Sequence, residues 1–443
     1  MKLGTNDIII KLGSSDVDSI YLGTQLVYSG GSEPPTPIDY ENEYLTFVAL
    51  ENGTFKFSGN SINYSLDSGA TWTSLASDTN SPTVQSGNKI MWKAELTPTT
   101  TNGVGTFSSS GRFDVESNAM SLLYGDNFSG QTSLSGKNYA FKILFSGCTK
   151  VVNAENLSLP ATTLANNCYQ SMFKGCTSLT TAPMLPATTL ATYCYNSMFA
   201  SCRSLTTAPQ LPATTLEVAC YASMFNGCTS LTSAPELPAT TLAIQCYQGM
   251  FYNCSSLSTA PQLPATTLTQ TCYRSMFSGC TSLNSITCLA TDISADYCTN
   301  YWVSGVASSG TFTKAASMNS WTSGESGIPS NWTVQNYSNP TPTLQWVTFE
   351  SGDDISGLDI YGVSGVAIDL QSTFSNGGDI MFVPSRTNVE CTIGAFSSSC
   401  YGDIYSRNDN VELIFSNLGT CNDYYNSDAT TVGGGTIQLY IYA

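Results

Sequence analysis

The hydrophobic pattern changes period along the chain. Between residues 41 and 138 apolar and polar positions alternate, as in YLTFVAL, GTFKFSG, INYSLD and KIMWKAEL. A period of two sets one face of a strand on a core and the other toward water, so this stretch predicts β-strands. The middle of the chain is a repeat. Leu-Pro-Ala-Thr-Thr-Leu begins at Leu159, Leu185, Leu211, Leu237 and Leu263, a step of 26 residues. Cys168, Cys194, Cys220, Cys246 and Cys272 keep that step, and so do Cys176, Cys202, Cys228, Cys254 and Cys280. Degenerate copies flank the array, at Leu144-Phe145 with Cys148 and at Asp296-Tyr297-Cys298. Inside one unit Leu190, Cys194, Met198 and Cys202 recur every fourth residue, with Tyr195 and Phe199 beside them. That stripe predicts a helix of about three turns, with Thr188 and Thr189 offering an N-cap hydroxyl. Leu205-Thr206-Thr207-Ala208 is short, β-branched and ended by Pro209, which predicts a strand. From residue 343 to 443 the alternation returns, in LQWVTFE, DIMFVP, VELIFS and TIQLYIYA.

Composition narrows the function classes. A chain of 443 residues has room for two to four domains. Charged residues are only 11%, against roughly 25% in an average soluble protein. Ser, Thr, Asn, Gly and Tyr must therefore cover the surface, a profile that fits an extracellular or virion β-rich protein better than a cytosolic enzyme. Histidine is absent, which removes Ser-His-Asp triads, Cys-His dyads and imidazole ligands to metal. Lys and Arg number 15 against 32 Asp and Glu, a net charge of -17, so neither nucleic acid nor an anionic membrane is an expected partner. No stretch approaches the roughly 20 apolar residues of a membrane span, and Ile8-Ile9-Ile10 falls short of the roughly 7–15 of a secretory signal. With Met1 as the start, the general secretory route is not expected.

A period of 26 residues reads as a solenoid or propeller. One helix and one strand per unit makes it a leucine-rich-repeat-like coil. The fold class expected is therefore mostly β with a central α/β leucine-rich-repeat solenoid, an Ig-like β-sandwich before it and a β-domain after it. The cysteine ladder reads as core, because the two cysteines of a unit lie eight apart rather than in the closely spaced pairs of a zinc site. The Cys202 column resembles the position where other leucine-rich repeats place Asn, which implies a bond to the backbone in the turn. Columns that drift between near-identical copies are expected to face solvent: Lys174, Ala200, Asn226, Tyr252 and Ser278 after Met-Phe, and Gln170, Asn196, Ala222, Gln248 and Arg274 after Cys-Tyr. They form either a neutral wet face or a recognition surface, with Tyr252 and Arg274 as the candidate contacts.

The phrases GCTSLTTAP and MFxGCTSL, and the segment WTSGESGIPSNWTV from Trp321 to Val334, resemble the BspA-type leucine-rich repeats of gut Bacteroidota and their phages, crAss-like phages included. The resemblance covers about residues 140–335. It implies a binding scaffold with no chemistry attached, so no catalytic residue, cofactor or metal site is expected. IYLGTQLVYSGG, within residues 1–30, resembles the N-terminal adaptor segments of phage tail and fibre proteins. That implies attachment to other virion proteins through residues 1–30, with Leu12, Tyr21, Leu22, Leu26 and Tyr28 as attachment residues.

The domain plan is then an attachment segment at 1–30, a linker at 31–40, the β-sandwich at 41–138, the repeats and their cap at 139–335, a linker at 336–342 and the C-terminal β-domain at 343–443. Ser65 to Trp72 matches the SxDxGxTW Asp-box that sialidases repeat around a propeller. Here it occurs once and the chain's five arginines do not cluster, so it reads as a hairpin turn with Asp67 bonding its own backbone and Trp72 packing. The C-terminal segment carries 12 acidic and 2 basic residues. Tyr401, Tyr405, Tyr424 and Tyr425 in its polar loops are candidate receptor contacts, or packing contacts. Asp353, Asp354 and Asp359 lack the spacing of a Ca²⁺ loop. The function expected is a phage virion appendage (tail, collar or head fibre or spike), assembled in host cytoplasm and exposed on the particle. It would be a homo-oligomer, as a trimer, binding host surface glycan or protein. The alternative is a bacterial surface or secreted BspA-like adhesin. A glycan-active enzyme would need paired carboxylates, and no motif brings two together.

Overall fold

The computed structural model describes residues 40–338 in full and, in the flanks, the backbone of short strands. It is mostly β, with a single one-turn α-helix, Ser121–Tyr124, among the described residues. The chain divides into two compact units, Met1–Pro37 with Ser338–Ala443, and Ile38–Tyr337.

In the first unit the described strands of residues 1–30 form three antiparallel pairs. Lys2–Leu3 pairs with Asn6–Asp7, Lys11–Leu12 with Ser15–Asp16, and Ser19–Leu22 with Gln25–Ser29. Leu12, Tyr21, Leu22, Leu26 and Tyr28 lie on these strands. Toward the C-terminus Pro342–Phe349 and Val366–Leu370 both pair with Gly435–Tyr442.

The second unit begins with β1 (Leu45–Ala49), β2 (Phe55–Gly59), β3 (Ile62–Ser65), β4 (Thr73–Leu75), β5 (Lys89–Lys93), β6 (Gly105–Ser109) and β7 (Phe113–Asn118). With β8 (Leu157–Ser158) they make a six-stranded sheet ordered β4-β3-β5-β1-β7-β8, and β6 pairs separately with β2. The inward positions of the alternating pattern meet between these layers. Phe47 packs edge-on against Phe107 at 4.8 Å and Phe55 against Phe113 at 5.0 Å. The Asp-box folds as the sequence predicts. The Asp67 carboxylate accepts from the Thr71 amide at 2.9 Å and from the Thr71 hydroxyl at 2.5 Å. Bonds from Ser65 and Thr71 lower its pKa to about 2. Trp72 packs against Tyr44 at 4.9 Å.

This sheet and the repeats share one hydrophobic core. Strand β7 runs parallel to β8, and its Phe113 and Val115 amides donate to Lys150 and Asn153. Phe145 of the first degenerate copy stacks on Phe107. The expected boundary at 138/139 is thus crossed by ladder bonds and ring contacts, and β7 serves as the first rung of the stack above it.

The repeats stack coil on coil, but the predicted helices are absent. From residue 165 the chain instead makes consecutive tight turns. The amides of Cys168, Gln170, Met172, Lys174 and Cys176 each donate three residues back, to Ala165, Asn167, Tyr169, Ser171 and Phe173. The alternate amides of Tyr169, Ser171, Phe173 and Gly175 donate to the next coil, at Cys194, Asn196, Met198 and Ala200, over 2.7–2.9 Å. Each amide in this ribbon therefore has a partner, as a buried backbone demands. Every fourth residue takes positive φ to turn the chain, including Asn167 (59°), Ser171 (56°) and Gly175 (77°).

A four-residue ribbon produces the same one-sided stripe that a helix would, which is why the sequence pattern misleads. Around a true helix a strict four-residue stripe drifts by about 40° per step, and a helical sequence corrects it with i+3 or i+7 positions. This one does not. It also places Gly, Ser or Asn at most of the positive-φ sites, where such residues are cheapest. Ring spacing gives independent support. Tyr195 stacks on Tyr221 at 5.7 Å and Phe199 on Phe225 at 5.7 Å, whereas helix axes pack about 8–10 Å apart.

The predicted strand also shrinks. Thr207 and Ser233 form a single parallel bridge, as do Thr259 and Ser285, and a second column joins Thr163, Thr189, Thr215 and Thr241. Thr189 is thus a bridge residue rather than a helix cap. Prolines such as Pro209 and Pro261 lack the amide needed to extend the ladder. Where Thr287 replaces that proline, a full strand appears. β9 (Ser285–Cys288) pairs in parallel with β10 (Thr311–Lys314), and β10 with β11 (Thr333–Asn336).

Candidate functional site

The interior of the stack is uniform. A tyrosine column runs Tyr169, Tyr195, Tyr221, Tyr247, Tyr273, and a phenylalanine column runs Phe145, Phe173, Phe199, Phe225, Phe251, Phe277. Both end on Trp302, whose indole stacks on Trp321 at 5.5 Å and donates to the Gly327 carbonyl at 2.8 Å. Trp321 to Val334 thereby covers the open end of the core.

All thirteen described cysteines are free and buried. Their two columns differ in chemistry. The thiols of Cys176, Cys202, Cys228, Cys254 and Cys280 donate to the carbonyls of Phe145, Phe173, Phe199, Phe225 and Phe251 at 3.0–3.1 Å. The Cys202 column therefore bonds the backbone of the preceding coil, as expected from sequence. The Cys220 column makes no such bond among the described residues. Burial pushes the thiols of Cys168, Cys220, Cys272, Cys280 and Cys288 up to about 12. They are protonated packing groups at neutral pH, not nucleophiles. Among the described residues no group of three or more His, Cys, Asp or Glu is placed to hold a metal ion.

The chemistry available to a partner lies on the outside of the turn ribbon. Of the drifting columns, Lys174, Tyr252 and Arg274 are exposed, while Gln170, Asn196, Asn226, Gln248 and Ser278 are half-buried. Ala200 and Ala222 are buried instead of exposed, because their methyl groups are shorter than the neighbouring side chains that flank them. In the early coils the face is closed on itself. Gln170 donates to Asn196 at 3.4 Å, Asn167 to Gln170 at 3.2 Å, and Ser197 to Asn196 at 3.2 Å.

In the last coils the face changes character. Tyr297 and Tyr301 are 66% and 54% exposed and occupy successive positive-φ positions, at 55° and 53°. Earlier coils place Thr271 and Ser275 there, one step back. The Ser275 amide donates to the Asn300 carbonyl at 2.9 Å, and the Thr271 amide to Asp296 at 3.1 Å. That register sets Arg274 on the coil beneath Asn300 and next to the Tyr297–Tyr301 pair. Tyr252 lies on the coil before Arg274. Tyr252 and Arg274 are legible in the drifting columns of the sequence, whereas Tyr297 and Tyr301 lie outside those columns. The signal was present, as two tyrosines at equivalent turn positions where other units carry mostly smaller residues.

Tyr401, Tyr424 and Tyr425, with Asp353, Asp354 and Asp359, lie outside the described residues. Tyr405 is placed only to the extent that its backbone belongs to the strand Asp403–Arg407. Among the described residues no helix is long and apolar enough to cross a membrane. Compared with protein-family models, with curated proteins and with solved structures, the chain matches none.

Proposed function

We propose that this chain is a bacteriophage virion appendage, a tail, collar or head fibre or spike that presents binding surfaces to a Bacteroidota host. In this reading residues 139–335 are a BspA-type leucine-rich-repeat solenoid, capped before by an immunoglobulin-like layer and followed by a β-domain. The observation that carries it is the contrast between an interior that repeats ring for ring and an outer face whose residues change from coil to coil. Such a body holds side chains at fixed spacing and leaves them free to contact a partner, which is the physics of a display scaffold. No catalytic role is assigned.

The alternative is a surface or secreted adhesin built on the same repeats. Thirteen free, buried thiols favour assembly in a reducing cytoplasm over export into an oxidising compartment. Residues 1–30 attach the chain to other virion proteins, the assembly is a homotrimer, and the target is a host surface glycan or protein. Mass spectrometry of gradient-purified virions tests this reading. Peptides of the intact chain should be present, and a chain lacking residues 1–30 should fold but fail to incorporate. Absence of the chain from virions defeats the reading, and normal incorporation of the truncation removes the attachment role of residues 1–30.

A further inference from the structure

We infer that Tyr297, Tyr301, Arg274 and Tyr252 form a binding patch for a neutral glycan at the last coils of the turn ribbon. This deepens the attachment reading above and depends on it only for biological meaning, not for the binding itself.

Three independent observations converge there. The first is exposure. Tyr297 and Tyr301 are the most exposed aromatic residues among the large hydrophobics of the described chain, at 66% and 54%, with Tyr252 at 37%. The tyrosines and phenylalanines of the two stacked columns are, by contrast, fully buried. The second is backbone conformation. Both residues hold φ near 55°, a region that disfavours side chains larger than Gly, Asn or Asp. The Tyr297 position carries a half-buried tyrosine in one earlier unit, Tyr193 at 56°, but the Tyr301 position carries none. Ser and Gly fill the Tyr301 position in the coils before it, at Ser275, Gly249, Ser223 and Ser197. At position 301 a tyrosine thus replaces a small residue and leaves 54% of its surface to solvent. The third is unspent hydrogen bonding. The early coils tie their amide side chains to one another, whereas the Arg274 guanidinium has no hydrogen-bond or ion-pair partner among the described residues.

The chemistry selects the occupant. Flat, exposed tyrosine faces stack on the apolar faces of pyranose rings, and a forked guanidinium donates to hydroxyl pairs. A single cation on a stretch that also carries the exposed Asp296 gives no excess positive charge to hold an anionic polymer. The patch spans three successive coils, and stacked rings of adjacent coils lie 5.7–6.3 Å apart in this part of the array. It therefore offers an extended row of contacts that matches an oligosaccharide rather than a single sugar.

The test uses the full chain and substitutions that the array itself carries at equivalent positions, so that the coil is preserved. These are Tyr301→Ser, as at Ser275, Tyr297→Thr, as at Thr271, and Arg274→Gln, as at Gln248. Titration calorimetry is run against maltohexaose, cellohexaose, mannohexaose and chitohexaose, with polygalacturonate as the anionic control. At least one neutral hexasaccharide should bind, and the tyrosine double variant should lose at least tenfold in affinity with an unchanged melting temperature. Arg274→Gln should lose severalfold. Binding to none of the four, preference for polygalacturonate, or affinity unchanged in the double variant overturns the proposal. If the wild-type chain binds no glycan yet is found in virions and captures a host surface protein, the patch fails while the attachment reading stands.

Discussion

Cysteine carries two different jobs in neighbouring columns of one core, and the difference is measurable. Cys228 has a carbonyl acceptor on Phe199 at 3.1 Å, so serine at that position keeps a hydrogen bond. Cys220 has no carbonyl acceptor of that kind on the preceding coil, so a serine hydroxyl there is buried without that bond. Cys220→Ser should cost on the order of 1–3 kcal/mol, and Cys228→Ser should cost clearly less, as read from urea unfolding midpoints. Equal costs would remove the distinction between the columns. The tyrosine ladder gives the opposite sign. The hydroxyls of Tyr169 and Tyr221 are buried without a partner, and their rings already stack on both sides. Tyr221→Phe should therefore stabilise the protein, by about 1–2 kcal/mol. Destabilisation would reveal a buried partner for the hydroxyl.

Each 26-residue coil shows how far sequence alone reaches. The repeat boundaries, the buried columns and the thiol–carbonyl bond were legible because side-chain identity at a fixed spacing reports an environment directly. The helix was misread because a four-residue apolar period is common to a helix and to a ribbon of turns. What distinguishes them is the small residue at most of the every-fourth places, together with backbone bonds to a chain segment 25 residues away. Those bonds are non-local, and no window of the sequence contains both partners. The strand was over-read because Pro209 and its equivalents cut the ladder to one bridge per coil. The ribbon makes its own prediction at Gly227, where φ is 75° and added Cβ would meet only ordinary contacts with Ser201, at 3.5 Å. Gly227→Ala should then cost about 1–2 kcal/mol from backbone strain alone, and a left-handed-tolerant Asn should cost less. A neutral Gly227→Ala would mean that the turn does not hold that conformation in solution.

Because the sheet, the coils and the cap share one core, residues 40–337 should unfold together, and alkaline pH should trigger it. The described thiols have folded pKa values raised above the ordinary value of 9.0, to about 12 at Cys168, Cys220, Cys272, Cys280 and Cys288. A raised folded pKa means that the native state keeps protons which the unfolded chain releases. This stability is fully present below pH 9 and is lost as pH rises toward 12. Each such thiol contributes a slope of about 1.4 kcal/mol per pH unit in that window. Tyr44, raised to about 12 by burial and by its hydroxyl's bond to Asp126, adds to the loss above pH 10. Several such slopes exceed a typical stability of roughly 5–15 kcal/mol within one to two units, so cooperative unfolding is expected well before pH 12. A transition independent of pH between 9 and 11 would show that the thiols are not buried as protonated groups. The proposed role places this body on the outside of a particle, with the varied face of its coils toward the host. Immunogold electron microscopy of intact phage particles, with antibody raised against residues 40–337, measures that placement. Gold on the exterior of the particles is the predicted result, and bare particles with label on uninfected bacterial cells would contradict it.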